Sequence, residues 1–228
     1  MPRLWSADGT TDPMADVMRR AYSLLSRIRI GGRGARAVAA IGIVFAALTV
    51  PGGMVHAAEV AGVRIEPGAR VAGVDLALNG AGLRKLFLAD VYVIGMYFSE
   101  RTTSAETAID STGPKRIALT FMRDVTAESL VEALYEGVRD SSGATEFTSL
   151  KASADALSAI MLPLRIAKKG DIVALDYVPD AGAQVVVNGR AVGRPVPDRN
   201  LYRALLRIWL GDAPVDAKLK RALLSGRT

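Results

Sequence analysis

The stretch LRKLFLADVYVIGMYF (Leu83–Phe98) is the longest extended segment that the sequence predicts. It is rich in β-branched and aromatic residues, which favour strands. Shorter segments of the same character lie around it, and they are Val63–Ile65, Arg70–Leu76 after a Pro67-Gly68 turn, Lys115–Met122, Asp171–Val178 and Ala183–Val187. The last of them leads into Asn188-Gly189, a pair typical of a two-residue hairpin turn, in which both positions need a positive φ. These segments predict antiparallel strands.

Four helices are predicted between and after these strands, because apolar residues recur there at helical spacing and polar caps precede them. They are residues 126–143 with Thr126 as the cap, residues 146–161, residues 199–210 with Asp198 as the cap, and residues 214–224. Strands, two helices, a hairpin and two more helices predict an α+β domain. We expect its helices to lie on one antiparallel sheet.

The first 57 residues are typical of a signal peptide. Ala37–Val50 is an unbroken apolar run of 14 residues that follows several arginines and precedes the small residues of Val55-His56-Ala57. A run of this length is too short to cross a bilayer comfortably, since a span needs about 20 residues. We therefore expect a signal peptide at residues 1–57, cleavage near Ala57-Ala58, a periplasmic location and one mature domain, residues 58–228.

The residues after His56 limit the kinds of catalytic and metal site that are possible, because none of them is a histidine or a cysteine. This excludes Ser-His and Cys-His catalysis, zinc sites built from those ligands, and disulfides from the mature chain. Seven of the 29 basic and three of the 23 acidic residues precede Ala58, which leaves a net charge of +2. That balance gives no case for nucleic-acid binding. We expect no cofactor and no metal.

Two segments of the chain resemble a known family. The first is LNGAGLR (Leu78–Arg84), which continues into VYVIGMY (Val91–Tyr97), and the second is LLRIWLG (Leu205–Gly211) followed by DAPVD (Asp212–Asp216). They are similar to the chalcone isomerase-like family, and above all to its exported bacterial branch. The resemblance implies an open-faced β-sandwich, with a large antiparallel sheet, a layer of helices and a cleft between them. Plant members close chalcones into flavanones, whereas other members bind fatty acids without catalysis.

The resemblance also suggests a ligand site at Arg84 and Tyr92. Arg84 matches the arginine of the family enzymes, and a guanidinium holds a carboxylate or enolate oxygen through two parallel hydrogen bonds. The enzymes have threonine at the position of Tyr92, while fatty-acid-binding relatives have tyrosine there. On a straight strand the two residues would lie about 26 Å apart, since each residue advances the chain by roughly 3.3 Å. A shared site therefore requires a turn or a bulge between Leu86 and Asp90.

The other polar positions of the enzymes are not kept. By our alignment they fall on Leu130, Gly137 and Ile208, although Tyr135 lies near the first of them. The sequence therefore favours a protein that binds a fatty acid or a similar amphiphilic anion without catalysis. Arg84 would hold the head, Tyr92 would donate a hydrogen bond, and the tail would lie along Ile94, Met96, Phe121 and Leu134.

Two alternatives stay open at this point. One is an isomerase or intramolecular lyase that acts through an enolate stabilised by Arg84. The other is an interaction module without a ligand. Arg199, Arg203 and Arg207 recur every four residues on a predicted helix, and such a basic stripe also suggests peripheral contact with anionic lipid.

Overall fold

The computed structural model describes residues Ala58–Gly226, so the predicted signal peptide lies outside the described residues. A seven-stranded antiparallel sheet has the order β11-β10-β9-β6-β5-β4-β3, and two small pairs, β1-β2 and β7-β8, accompany it. The strands are β1 (Ala58–Val60), β2 (Val63–Ile65), β3 (Gly68–Val71), β4 (Val74–Leu86), β5 (Ala89–Phe98), β6 (Lys115–Phe121), β7 (Val125–Thr126), β8 (Ile166–Ala167), β9 (Ile172–Val178), β10 (Gly182–Val187) and β11 (Arg190–Val196).

Four α-helices accompany the sheet within the described residues. They are α1 (Ala105–Asp110), α2 (Ala127–Met161), α3 (Arg199–Leu210) and α4 (Ala217–Leu223), and a 3-10 turn (Leu162–Leu164) follows α2. Ser104, Thr126, Asp198 and Asp216 cap them, each accepting a hydrogen bond from a backbone N–H of the first turn. Three of these caps mark helices that the sequence predicts, while the short helix α1 was not predicted. No described helix is long and apolar enough to span a membrane.

Helix α2 contains a break where the sequence predicts the boundary between two helices. Gly143 has φ 74° and ψ 166°, values outside the helical region that favour glycine. The residues on either side are helical, so α2 consists of two limbs that meet at Gly143. The prediction of two helices in this region is therefore confirmed.

Two of the predicted strands are wrong in their extent, because each contains a turn. Arg70–Leu76 is divided by Ala72 and Gly73, which have φ values of 51° and 80°. The longer segment, Leu83–Phe98, is divided by the two-residue turn Phe87-Leu88, with Phe87 at φ 55°. Neither turn has the Asn-Gly signature that marks Asn188-Gly189, where the predicted hairpin is confirmed.

The two faces of the sheet have different covers. The face that carries Ile94, Met96 and Phe98 packs against the helices and holds the main apolar core. The opposite face carries Val93 and Tyr97. The apolar cluster on this face consists of residues of the sheet together with side chains of the small β1-β2 pair, such as Ile65. The predicted α+β fold, one large antiparallel sheet with a helical layer, is therefore confirmed.

Lys115 is an unusual member of the helix-facing core, since it is a buried lysine. Its Nζ donates to the carbonyl oxygen of Ile109 at 3.0 Å and lies 5.7 Å from the centre of the Tyr177 ring. Burial lowers the pKa of Lys115 to about 8, and the positive charge of Arg199 acts in the same direction while Asp110 opposes it.

This burial predicts a pH dependence of stability. The pKa of Lys115 in the folded state, about 8, lies below its ordinary value of 10.5, so the unfolded chain binds the proton more tightly. Stability is therefore lowest while Lys115 is charged and rises as the pH increases from about 8 towards 10.5. Relative to Lys115→Met, we expect the wild type to gain roughly 1 kcal/mol between pH 7 and pH 9 in urea unfolding. A constant difference between the two proteins would contradict this assignment.

A candidate anion site beside the β4–β5 hairpin

The turn at Phe87-Leu88 brings the two predicted site residues together. Strands β4 and β5 form a hairpin in which Arg84 lies directly opposite Tyr92, and a bulge separates this pair from Lys85 opposite Asp90. Alternation along the strands places Arg84 and Tyr92 on the face that packs against the helices. The condition that the sequence sets for a shared site, a turn between Leu86 and Asp90, is therefore met.

Tyr92 presents its hydroxyl to donors of the protein. Its oxygen accepts a hydrogen bond from Trp209 Nε1 at 3.0 Å, and its ring meets Phe121 edge to face at 6.2 Å. Burial raises the pKa of Tyr92, against the lowering effects of Trp209 and Arg84. The phenol is therefore neutral at physiological pH. Because Trp209 and Arg84 are both donors, neither accepts the phenol's own proton, and that O–H is available to an acceptor.

Arg84 lies at the edge of the site, with 21% of its side chain exposed. Its Nη1 donates to the carbonyl oxygen of Lys85 at 2.8 Å and lies 3.8 Å from Asp216 Oδ2. The other oxygen of this carboxylate, Oδ1, accepts the backbone N–H groups of Lys218 and Leu219 at the start of α4. A guanidinium has five N–H donors. Those of Arg84 already serve the Lys85 carbonyl oxygen, the Asp216 carboxylate and the Tyr92 hydroxyl, which leaves about two for an anion.

Two glycines of β4 explain why α4 can lie so close to Arg84. A Cβ on Gly80 would lie 2.5 Å from the carbonyl oxygen of Leu223, and one on Gly82 would lie 2.5 Å from a methyl of Leu219. The buried Asn79 fixes this contact: its Nδ2 donates to the Leu223 oxygen at 2.7 Å, and its Oδ1 accepts from the Thr102 backbone N–H at 2.7 Å. The glycines therefore position α4, and with it Asp216, beside the hairpin.

Three positions that are polar in the family enzymes lie in apolar contacts in this protein, and they are Leu130, Gly137 and Ile208. A Cβ on Gly137 would lie 2.9 Å from the side chain of Ile208, so two of these positions pack against each other. The third, Leu130, belongs to an apolar cluster with Phe121 and Tyr92. Tyr135 donates to Asp155 on the second limb of α2. Its hydroxyl is therefore committed to a contact within α2.

A small apolar crevice lies next to this cluster. Its volume is about 60 Å³. Seven apolar residues and one carboxylate line it, and they are Ala127, Leu130, Leu164, Ile166, Ala167, Val173, Val187 and Asp171. Leu130, Ala167, Val173 and Val187 also belong to the cluster around Phe121, which Tyr92 borders. Packed apolar contacts are therefore continuous from Tyr92, past the buried Phe121, to the crevice, and this series of contacts is called the apolar path below.

The predicted tail contacts are only partly at this path. Phe121 lies on it, but Ile94, Met96 and Leu134 belong to the packed main core between sheet and helices. The crevice is instead lined by other residues, among them Leu130, Val173 and Val187. Alternation along a strand identifies the buried face, but it does not distinguish a core position from a position at a cavity, so the sequence carried no signal for this difference.

Sequence reasoning also missed the polar roles of Trp209 and Asp216. Trp209 belongs to the apolar core at the end of α3 and also donates to Tyr92. Asp216 caps α4 and also approaches Arg84. Both second roles depend on tertiary contacts between distant parts of the chain. Within Ala58–Gly226, no group of acidic residues is arranged to hold a metal ion.

The basic stripe of α3 is bound to neighbouring helices. Arg199 Nη2 donates to the Asp110 carbonyl oxygen at 2.7 Å, and Arg203 forms an ion pair with the Asp110 carboxylate at 2.5 Å. Arg207 pairs with Glu146 at 2.5 Å. These contacts attach α3 to α1 and α2. The contact of this stripe with anionic lipid stays a prediction.

Comparison with known proteins supports the fold that the site requires. Residues 57–225 match the family model described as chalcone isomerase-like. The solved structure of a fatty-acid binding protein from Arabidopsis thaliana is similar with a TM-score of 0.59 and 18% sequence identity, over 72% of this chain and 92% of that chain. At this identity the likeness is one of fold. No curated protein matches this chain in sequence. Since the family model covers most of the chain, the chain belongs to the chalcone isomerase-like family.

Proposed function

We propose that this protein binds a fatty acid or a similar amphiphilic anion without converting it. The observation that carries the proposal is the pairing of Arg84 and Tyr92 across the β4–β5 hairpin, with Trp209 Nε1 directed at the phenolic oxygen. The similar structure from Arabidopsis thaliana is a fatty-acid binding protein, which supports the same class of ligand.

The head of the ligand would bind between these two side chains. Arg84 supplies N–H groups and a positive charge, while the neutral Tyr92 supplies an O–H donor. Both groups suit a carboxylate, which only accepts hydrogen bonds. The partial exposure of Arg84 gives the head access from solvent.

The tail would follow the apolar path past Phe121 into the crevice at Leu130. The crevice of about 60 Å³ is much smaller than the roughly 300–1,000 Å³ of typical ligand pockets. An acyl chain therefore has to separate the first limb of α2 from β9 and β10. The break at Gly143 interrupts the helix between this limb and the second one, so the first limb would be able to move separately.

The isomerase alternative has weaker support from the same residues. Enolate chemistry needs a group that takes or gives a proton near neutral pH. Burial raises the pKa of Tyr92, so the phenol is a weak acid and the phenolate, the form that could act as a base, is scarcely populated near neutral pH. Gly137 and Ile208, which replace polar enzyme positions, pack against each other. A hydrogen-bonding role for Tyr92 fits these surroundings better than proton transfer.

We also propose that the protein acts in the periplasm. The support is the apolar run of Ala37–Val50 between arginines and a small-residue cleavage site. N-terminal sequencing of protein recovered from a periplasmic extract tests this proposal directly. An N-terminus near Ala58 is expected, and an intact N-terminal segment retained in the cytoplasm would contradict it.

Competition between an acid and its alcohol tests the binding proposal. Fluorescent cis-parinaric acid is bound first, and then oleic acid or oleyl alcohol, which share one tail, is added. We expect the acid to displace the probe at about a hundredfold lower concentration than the alcohol, since only the acid forms a charge-assisted pair with Arg84. Equal displacement by both would show that the tail alone is recognised, and absence of probe binding would contradict the proposal altogether.

Replacing Tyr92 with phenylalanine should weaken binding moderately. The change removes one hydrogen-bond donor to the head and leaves the ring contact with Phe121 in place. We expect a loss of affinity of about tenfold for oleic acid and little change for oleyl alcohol. Trp209 Nε1 also loses its acceptor, so the free energy of unfolding should fall by about 1–2 kcal/mol. Tyr135→Phe is the matched control, and it should leave the affinity unchanged.

A further inference from the structure

Exposed apolar side chains gather at one end of the large sheet. This hairpin end consists of the Phe87-Leu88 turn, the loop after β6, the segment Leu162–Asp171, the start of β9 and the Asn188-Gly189 turn. The antiparallel register places all of these at the same end, because β4, β6 and β10 finish there and β5, β9 and β11 begin there. It carries most of the exposed large apolar residues among those described: Phe87, Leu88, Leu162, Ile166 and Ile172.

The turn at Phe87-Leu88 is the most prominent point of this end. Tyr92 pairs with Phe121, the last residue of β6, and the β4–β5 ribbon continues beyond that pair to Leu86 and Ala89. At its tip Leu88 is 98% exposed and Phe87 is 44% exposed. Glycine, proline, asparagine, aspartate and serine normally occupy such turns. Two large apolar side chains at a projecting tip therefore require an apolar partner.

At this end of the sheet the acidic side chains are engaged in internal contacts, whereas several basic side chains form no ion pair. The carboxylates of the hairpin end are held internally: Asp90 pairs with Lys85, Asp124 accepts from the Lys169 backbone N–H, and Asp171 accepts from Asn188 and the Lys168 backbone N–H. Five exposed basic side chains of the hairpin end form no ion pair within the described part of the chain, and they are Arg123, Arg165, Lys168, Lys169 and Arg190. The end therefore offers free positive charge around an apolar tip.

We propose that the hairpin end docks on an anionic lipid bilayer, with Phe87 and Leu88 inserted among the acyl chains. A leucine that is 98% exposed on a projecting turn, at the same end of the sheet as several unpaired arginines and lysines, has the chemistry of a peripheral membrane contact. The other exposed apolar residues of this end, Leu162, Ile166 and Ile172, lie on three separate elements. This scattered arrangement suits the fluid interface of a bilayer better than the continuous apolar centre of a protein interface.

The position of the tip relates this docking surface to the anion site. Arg84 lies on the same hairpin, two residues before Leu86, the last residue of β4. A docked protein would therefore hold the entrance of the site at the level of the lipid head groups. The docking itself does not depend on the proposed ligand, because it uses Phe87, Leu88 and the free cations and not Arg84 or Tyr92.

A single fluorescent label tests the proposal on the processed protein recovered from a periplasmic extract. The protein contains no cysteine, so Leu88→Cys creates a unique thiol for the environment-sensitive NBD group. Glu100→Cys is the matched control, since Glu100 is exposed and follows the opposite end of β5. With vesicles of mixed phosphatidylglycerol and phosphatidylcholine, we expect a blue shift and a gain of emission for the label at position 88 only. Binding should be at least about tenfold weaker to phosphatidylcholine alone, and it should fall with salt.

Three results would overturn the docking proposal. An unchanged spectrum at position 88 would show that the tip does not enter the bilayer, and a protein partner would then be the occupant to seek. Equal shifts at positions 88 and 100 would show that another part of the chain carries the membrane contact. Equal binding to neutral and anionic vesicles would remove the role of the free cations. None of these results bears on fatty-acid binding, which the parinaric acid competition measures separately.

Discussion

Replacing Arg84 with alanine is expected to lower the affinity for oleic acid about a hundredfold, as measured by parinaric acid displacement. The change removes the positive charge that would pair with the carboxylate and the free N–H groups that would bind it. It also leaves the ligand's charge close to Asp216, which lies 3.8 Å from the guanidinium in the free protein. Both effects act on the head of the ligand, so the affinity for oleyl alcohol should change little.

Two variants show whether the loss is specific. Arg84→Lys keeps the charge but not the planar fork, so we expect it to recover part of the affinity. Arg64→Ala removes an exposed arginine of β2, which pairs only with Glu66, and it should bind like the wild type. If Arg84→Ala retains full affinity while remaining folded by circular dichroism, Arg84 is not the anchor and the assigned site is wrong.

Replacing Gly80 with alanine is expected to lower the free energy of unfolding by about 3 kcal/mol. The added Cβ would lie 2.5 Å from the carbonyl oxygen of Leu223, which is backbone and cannot rotate away. Helix α4 must therefore move, and the hydrogen bond from Asn79 to the same oxygen weakens with it. For a chain of this size we expect the melting temperature to fall by about 5–10 °C in calorimetry.

Gly113→Ala is the control for this substitution. Its Cβ would meet only the Ser99 side-chain oxygen at 3.3 Å, so we expect a change well below 1 kcal/mol. Because Asp216 begins α4, Gly80→Ala should also disturb the approach of Asp216 to Arg84. A Gly80→Ala protein that is as stable as the wild type would contradict the role of this glycine in positioning α4.

The helices of this fold were the most predictable part, because their signals are local. Thr126, Asp198 and Asp216 each accept a backbone N–H within three residues, and short polar side chains announce such caps in the sequence. Gly143 marks the break in α2 through its positive φ. The Asn188-Gly189 turn was predictable for the same reason.

The central hairpin was not predictable in the same way. Its turn, Phe87-Leu88, uses an apolar residue at φ 55°, although glycine and asparagine adopt this conformation most readily. The sequence around it therefore reads as one continuous strand, which would keep Arg84 and Tyr92 about 26 Å apart. The register of β4 and β5 removes that separation. An apolar turn that opposes local propensity is also the feature that the docking proposal explains.

The candidate site was predictable only where a family resemblance identifies its residues. Arg84 and Tyr92 were predicted as ligand contacts by position, and their pairing follows from the hairpin. Trp209 and Asp216 are 117 and 132 residues away from the partners that they contact, so no local pattern reveals these contacts. The same limit applies to the crevice at Leu130, since its lining comes from several distant elements.

A crystal structure of the protein with oleic acid tests the central claim most directly. The account predicts the carboxylate within hydrogen-bond distance of both the Arg84 guanidinium and the Tyr92 hydroxyl. It also predicts the acyl chain along Phe121, with Leu130 displaced from β9 and β10. A carboxylate bound elsewhere, or a tail on the face of the sheet that carries Val93 and Tyr97, would contradict it.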